Sequence, residues 1–187
     1  MLEGKRVRLR PLEMSDLERN LQWFNDPEVT YYISARYPVS RQEEEEFLRG
    51  HHASSFDQVP LAIETKDGRH IGNLGLHGAS SESRSAELGI VIGDKERWSQ
   101  GYGADAISTL LRFAFQEMNL NRVWLRVFEY NERAIACYRK CGFREEGRLR
   151  QEAYKDGRYW DRLIMGILRR EFEALEEGEA VAGAGAG

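Results

Sequence analysis

The chain has 187 residues, of which 41% are hydrophobic, and a formal net charge of −4. This length and composition suit one domain with a single buried core, and the acidic balance argues against a general nucleic-acid binder. Because no apolar run resembles a signal peptide or a membrane span, we expect a cytoplasmic protein without nucleic-acid or membrane partners.

The N-terminal third is predicted to contain one strand followed by three helices. The strand alternates basic and apolar residues and ends at Pro11. Ser15 or Asp16 can cap the first helix, and Ser40 can cap the third, whose first turns are rich in Glu. The predicted elements are a strand over 6–10 and helices over 17–24, 28–33 and 41–48.

Three strands, a helix, a strand, a second helix and two further strands are predicted to follow, up to residue 168. The apolar run over 86–93 has the length of a buried central strand, and the amphipathic helix after it is predicted to cross over to a parallel strand. The predicted strands are 59–65, 71–77, 86–93, 123–128, 143–154 and 159–168, and the predicted helices are 104–117 and one that begins at Asn131 and stops at Gly142.

These elements predict an α/β fold, with a mixed sheet of about seven strands and helices on both faces. We expect a single domain over 1–172. The segment 173–187 consists mainly of Glu, Ala and Gly, and we expect it to be a disordered tail because it cannot bury a core.

A glycine-bracketed turn joins the apolar central strand to the next helix, over residues 98–104 (Trp-Ser-Gln-Gly-Tyr-Gly-Ala). Such a turn exposes backbone N–H groups at a helix N-terminus, where phosphate binds, and Gly101 and Gly103 lack the Cβ atoms that would hold a phosphate away. No Gly-Lys-Ser or Gly-Lys-Thr follows, and the acidic residue of a dinucleotide site is missing. Phosphate binding and a tight turn without a ligand are the two alternatives.

A second motif begins a helix at Asn131 and places Tyr138 two turns along it, with the ending Lys140-x-Gly142-Phe143. Asn131 can cap its helix and still offer its amide to a ligand. Tyr138 can be a core aromatic or a functional phenol.

Together the two motifs resemble the cofactor site of the GNAT superfamily of N-acetyltransferases, and the resemblance covers about residues 4–172. That superfamily carries Gln/Arg-x-x-Gly-x-Gly/Ala after its fourth strand. Here Trp98 stands at the first position, which is similar to the Rim-type group that acetylates ribosomal-protein N-termini and to the spermidine acetyltransferases. This departure leaves open which side chain covers the pyrophosphate of the cofactor.

The resemblance implies a mostly antiparallel twisted sheet with one splayed parallel pair. It also implies that an acetyl group moves from acetyl-CoA to a primary amine by direct attack in a ternary complex. In this scheme Tyr138 protonates the departing thiolate, Asn131 contacts the pantetheine or the path of the amine, and Glu87 accepts the proton of the attacking ammonium. Glu87 has a structural alternative as a surface carboxylate paired with an arginine such as Arg84.

The resemblance implies a cofactor site that combines the carboxyl end of the central strand, the glycine turn and the second motif. The residues concerned are Ile90, Val91, Ile92, Arg97, Trp98, Ser99, Gln100, Gly101, Tyr102, Gly103, Ala104, Asn131, Ala134 and Tyr138.

We expect the acceptor amine to bind beside the first helices, at Trp23, Tyr31 and Tyr32, together with Glu87. Aromatic rings and carboxylates suit a cationic amine, and ordinary core packing is the alternative for aromatic residues at helical spacing.

No metal site is expected. Cys137 and Cys141 lie four residues apart and fit two small buried residues on one helix face better than a redox or metal pair. The histidines also lack the spacing of metal ligands: His51, His52, His70 and His77.

The sequence leaves the acceptor open among a protein N-terminus, a polyamine, an antibiotic and an amino acid. A non-catalytic CoA-binding or interaction module on the same fold is the alternative function, and the joint presence of Asn131 and Tyr138 favours the enzyme. An exposed last strand could pair two copies into a homodimer.

Overall fold

The structure is a computed structural model that describes residues 1–35, 37–50 and 55–184, with side chains described up to residue 178. The described chain forms one eight-stranded sheet in the order β1-β2-β3-β4-β5-β6-β8-β7. The strands are β1 (Leu2–Glu3), β2 (Val7–Pro11), β3 (Gln58–Thr65), β4 (His70–Ser80), β5 (Ser85–Ile92), β6 (Arg122–Phe128), β7 (Arg144–Lys155) and β8 (Arg158–Leu168).

The mixed sheet with helices on both faces is confirmed, and it has eight strands because the two-residue β1 pairs with β2 at one edge. The prediction that the last strand is exposed at a sheet edge is wrong. The last strand, β8, lies inside the sheet between β6 and β7, and β7 forms the other edge.

Strands β5 and β6 are the one parallel pair of the described sheet, and they pair only at their beginnings. The paired residues are Ser85–Glu87 of β5 and Arg122–Trp124 of β6. Beyond them β5 continues to Ile92 along β4, while β6 continues to Phe128 along β8. The two strands therefore separate toward their carboxyl ends, and their facing backbone groups have no partner in the ladder.

The helices are α1 (Leu17–Phe24), α2 (Pro27–Thr30), α3 (Arg41–Gly50), α4 (Tyr102–Gln116), α5 (Glu132–Lys140) and α6 (Arg169–Ala184). Two predicted caps are confirmed. The Ser40 hydroxyl accepts from the N–H of Glu43 at 3.2 Å, and the Asn131 side chain accepts from the N–H of Ala134 at 3.2 Å. Asp16 stands at the N-cap position of α1, as predicted, but its side chain makes no bond to that helix. It accepts instead from the N–H of Glu13 at 2.9 Å, in the capping box of a short 3-10 turn over Met14–Asp16 that also contains Ser15.

The two faces of the sheet differ in character, because successive side chains of a strand point to opposite sides. One face packs on α4 and α5 through Leu88 of β5, Leu125 of β6 and Met165 of β8. The opposite face carries the small cluster that packs under α1 and α3, with Leu12, Leu17, Leu48 and Ala62. No helix of the described residues is both long and apolar enough to cross a membrane.

The structure differs from the prediction of a disordered tail over residues 173–184, which belong to helix α6. The rings of Phe172 and Phe115 lie 5.4 Å apart, and Arg112 Nε donates to Glu176 at 3.0 Å. The composition of the tail could not show that its first turns dock on α4 through these contacts.

Candidate active site

A cleft of about 640 Å³ occupies the space where β5 and β6 separate. Its walls come from the ends of both strands, the turn before α4 and the inner side of α5. Of the residues expected to bind the cofactor, all except Gln100 line this cleft. The Gln100 side chain instead donates to the backbone oxygen of Glu96, so it braces the turn.

The glycine turn has the backbone that a phosphate cradle requires. Gly101 precedes α4 with φ of +84°, a left-handed conformation that disfavours a side chain. A Cβ at Gly103 would face Ile92 and Cys137 at 3.8 and 3.9 Å. The first N–H groups of α4 have no acceptor within the helix, and the positive end of the helix dipole favours an anion there.

Asp105 in the first turn of α4 holds this helix end against the N-terminal segment. Its carboxylate accepts from the backbone N–H groups of Lys5, Arg6 and Val7 at 3.0, 2.7 and 2.9 Å. The N-terminal segment thus fixes the position of the helix end that faces the cleft.

The Trp98 ring, at the first position of the glycine motif, is held by a hydrogen bond and stacks against an arginine. Its indole N–H donates to the backbone oxygen of Ile92 at 2.7 Å. The guanidinium of Arg133 lies 3.8 Å from the Trp98 ring centroid and 5.0 Å from that of Tyr32. Burial lowers the pKa of Arg133, which indicates a cation partly withdrawn from water and suited to an anionic partner.

Arg97 supplies a second cation at the same wall of the cleft. Its Nε is buried without a hydrogen-bond partner among the described residues. A buried N–H donor without an acceptor is costly, so a phosphate oxygen at this wall would satisfy it. The residues present therefore fit a pyrophosphate group.

Asn131 and Tyr138 both line the cleft from α5, where the helical spacing places them on one side. Asn131 is 7% exposed and Tyr138 is 8% exposed. Burial raises the pKa of Tyr138, and the neighbouring thiols of Cys137 and Cys141 act in the same direction. The phenol is thus protonated at neutral pH, as a proton donor must be.

Glu87 lies at the closed base of the separation, on the sheet face opposite α4 and α5. Its carboxylate accepts two hydrogen bonds from Arg126, at 2.9 and 3.3 Å. The suggested partner Arg84 is engaged elsewhere, since it donates to the backbone and side-chain oxygens of Asn119. Glu87 is therefore ion-paired and also lines the cleft.

The structure brings one of the three expected acceptor aromatics to the cleft. Tyr32 lines it, whereas Trp23 and Tyr31 do not. Trp23 is 6% exposed and packs edge-on against His70, with ring centroids 4.8 Å apart. Tyr31 lies behind Tyr32 at a centroid distance of 5.1 Å and supports it.

Three arginines that line the cleft were missed by the sequence analysis: Arg126, Arg133 and Arg162. Arg126 and Arg162 could have been found from the sequence, because each is a charged residue within a mainly apolar stretch of β6 or β8. Arg133 carried no signal, because its function depends on the two rings that its folded position provides.

The described residues contain no group of three or more His, Cys, Asp and Glu side chains that could hold a metal ion. Cys137 and Cys141 lie on one face of α5, and the Cys141 thiol contacts the backbone oxygen of Ala104 at 3.7 Å. His51 and His52 fall outside the described residues.

Comparison with known proteins identifies the family of the chain. A family model described as an acetyltransferase (GNAT) domain matches residues 6–144. The spermidine N(1)-acetyltransferase of Escherichia coli K12 is 31% identical over 168 residues, which cover 90% of this chain and 89% of the relative. A putative ribosomal N-acetyltransferase of Bacillus subtilis, YdaF, is 36% identical over 107 residues, or 57% of this chain and 58% of the relative.

Among solved structures, the spermidine N-acetyltransferase of Vibrio cholerae in complex with CoA and spermine superposes with a TM-score of 0.81. It is 30% identical, and the match covers 89% of this chain and 97% of that one. The chain belongs to the GNAT family of N-acetyltransferases, which transfer an acetyl group from acetyl-CoA to an amine.

Proposed function

We propose that this acetyltransferase transfers the acetyl group directly, within a ternary complex held where β5 and β6 separate. The observation that carries the proposal is the arrangement of the two sheet faces. Tyr138 reaches the cleft from the α5 side, and Glu87 reaches it from the opposite face. A thioester between them has a proton donor on one side and a carboxylate on the side from which the amine approaches.

The cofactor is bound by the carboxyl ends of the strands and by the glycine turn. On the side toward β6, the backbone of Ile90 and Val91 has no ladder partner and offers hydrogen bonds to the pantetheine and the acetyl carbonyl. The Ile92 oxygen already accepts from the Trp98 indole. The N-terminus of α4, with Arg97 and Arg133, takes the pyrophosphate. Arg133 on Trp98 thereby supplies the covering side chain that the motif does not itself provide.

The chemical step needs three proton transfers. The substrate ammonium loses a proton to Glu87, directly or through water, and its nitrogen attacks the thioester carbon. The carbon–sulfur bond then breaks, and the thiolate takes the proton of the Tyr138 phenol. The nitrogen still carries one surplus proton, and its transfer through water to the Tyr138 phenolate gives the neutral amide and restores the phenol, while Glu87 returns its proton to solvent. Asn131 remains available to position the amide-bearing pantetheine, because its helix-capping bond uses only its side-chain oxygen.

Mass spectrometry and a pH–rate profile test this mechanism. Incubation with acetyl-CoA alone should leave the protein mass unchanged, and addition of an amine should give acetylated amine. Glu87→Gln should abolish the acidic limb of the kcat/KM profile, whereas Glu82→Gln on the neighbouring loop should keep it. An acetylated protein that passes its acetyl group to the amine would refute direct transfer, and an unchanged acidic limb would refute the role of Glu87.

The alternative of a non-catalytic CoA-binding module predicts cofactor binding without any product. A homodimer also remains a proposal, with β7 as the pairing strand because it is a long, largely exposed strand at one edge of the sheet. Light scattering after size exclusion would show a mass of two chains if it forms and of one chain if it does not. The cytoplasmic location stays a prediction from the sequence.

A further inference from the structure

The acceptor side of the cleft is built around two arginines rather than around carboxylates. Glu87 is the one acidic residue among the described cleft-lining side chains, and Arg126 already pairs with it at 2.9 Å. Arg162 of β8 also lines the cleft, on the same sheet face. The Glu87 charge therefore meets two guanidinium groups before any substrate binds.

Arg162 is held in place by its neighbours. Its side chain is 12% exposed, its Nε lies 2.8 Å from a carboxylate oxygen of Glu152, and its guanidinium lies 4.4 Å from the ring centroid of Phe128. Burial lowers the pKa of Arg162; Glu152 opposes this shift, and the charge of Arg126 adds to it. A guanidinium has five N–H donors, so its contact with Glu152 leaves donors for a second anion.

A polyamine finds little to hold it here. The acidic residues of the first helices have partners of their own: Asp26 and Glu28 both pair with Lys95 at 2.8 Å, and buried Glu44 accepts from Asn20 at 2.8 Å. The described cleft thus offers a second ammonium group no unpaired carboxylate, and it places Arg126 and Arg162 in its path.

The same side of the cleft has an apolar wall. It comes from the N-terminal helices and the segment before them, and its members are Leu12, Phe24, Val29, Ile33 and Phe47. An acceptor bound beside Glu87 therefore touches apolar side chains on one side and guanidinium groups on the other.

We infer that the acceptor is a monoamine that carries a carboxylate and an apolar substituent, and that Arg162 binds the carboxylate. This inference rests on the proposed function, since it concerns the acceptor of the same reaction. Arg162 then acts as a specificity-determining residue. Its fork geometry matches a carboxylate in a bidentate contact, while the amine points toward Glu87 and the thioester.

Two kinds of acceptor carry these three groups: a free amino acid, and a peptide N-terminus that is followed by an acidic side chain. The experiment distinguishes them. The turnover panel consists of leucine, leucinamide, the dipeptides Leu-Asp and Leu-Asn as their C-terminal amides, and spermidine. Leucinamide matches leucine without its carboxylate, and Leu-Asn amide matches Leu-Asp amide in the same way. Each acceptor is assayed by CoA release and by mass of the acetylated product.

The inference predicts that the carboxylate raises kcat/KM at least about tenfold in one of the two matched pairs, and that spermidine is the poorest acceptor. Arg162→Gln should remove that preference, so that kcat/KM becomes nearly equal within each matched pair. Arg158→Gln is the matched control: this arginine lies on the same strand, stacks on Trp160 at 3.4 Å and does not line the described cleft, so the preference should persist.

A binding measurement tests the inference about the acceptor independently of the proposed acetyl transfer. Leucine, Leu-Asp amide and their neutral matches are titrated into the CoA-saturated protein by calorimetry. Tighter binding of a carboxylate-bearing ligand, lost in Arg162→Gln, would support the inference even if no acceptor turns over, whereas the proposed function would then fail. Preference for spermidine, or equal binding and turnover within both matched pairs, would overturn the inference and leave acetyl transfer intact.

Discussion

Replacing Tyr138 by Phe should slow acetyl transfer strongly and leave acetyl-CoA binding almost unchanged. The phenol is 8% exposed and lines the cleft, and burial holds it in the protonated form by raising its pKa. A positioned general acid contributes about 10²- to 10⁴-fold. We therefore expect kcat to fall by that factor, equivalent to about 3–5 kcal/mol of transition-state stabilisation.

Tyr138→Phe removes only the hydroxyl group and keeps the packing of the ring, so it tests the role of the phenol alone. The Tyr138 hydroxyl has no hydrogen-bond partner among the described residues, so the loss should cost less than about 1 kcal/mol of folding stability. The assay combines CoA release at saturating amine, calorimetric titration with acetyl-CoA and thermal unfolding. Tyr159→Phe, on a side chain that is 62% exposed, controls for loss of a phenol away from the cleft. Unchanged kcat in Tyr138→Phe, with binding intact, would refute its role as the acid.

Three further perturbations test the cofactor cleft and the stability of the fold. Gly101→Ala forces a side chain into a φ of +84°, so stability should fall by about 1 kcal/mol and acetyl-CoA affinity should fall with it; an unaltered Kd would contradict the cradle. Arg133→Gln removes the guanidinium stacked on Trp98 and should weaken acetyl-CoA binding about tenfold; pantetheine, which lacks the pyrophosphate, should bind the variant and the wild type equally. Asp16→Asn breaks the buried pair with Arg10 at 2.8 Å and should cost about 3 kcal/mol in urea unfolding. Burial opposes ionisation of Asp16, but hydrogen bonds from Arg10 and from a buried histidine outweigh this effect and lower its pKa. The contribution of Asp16 to folding stability is therefore present above the ordinary carboxyl pKa of 3.8 and is lost as the pH falls below it. A difference between wild type and variant that stays constant down to pH 3 would contradict this assignment.

Local signals predicted most of the fold and the positions of the two motifs beside helices α4 and α5. The apolar run of β5, the capping asparagine of α5 and the glycines before α4 each act through backbone geometry within a few residues. For this reason Asn131 caps α5 as predicted, and Gly101 lies in the turn directly before α4. The separation of β5 and β6 was implied only by family resemblance, because the strand pattern does not show where two strands stop pairing.

The acceptor side was less predictable, because it depends on contacts between distant segments. Arg126 and Arg162 become neighbours only when β8 inserts beside β6, and no spacing in the chain reports that order. Trp23 has the helical spacing of a core residue as well as an aromatic ring, and burial against His70 decided between the two. The docking of α6 similarly depends on Phe172 meeting Phe115.

The central claim is that the cleft between β5 and β6 binds acetyl-CoA through its pyrophosphate and pantetheine. Calorimetric titration of the purified protein with acetyl-CoA, with ATP as the control ligand, tests it most directly. The account predicts binding of acetyl-CoA near micromolar Kd, about −8 kcal/mol, and no comparable binding of ATP. Absence of acetyl-CoA binding, or equal affinity for ATP, would contradict the account of the glycine turn and of the cleft behind it.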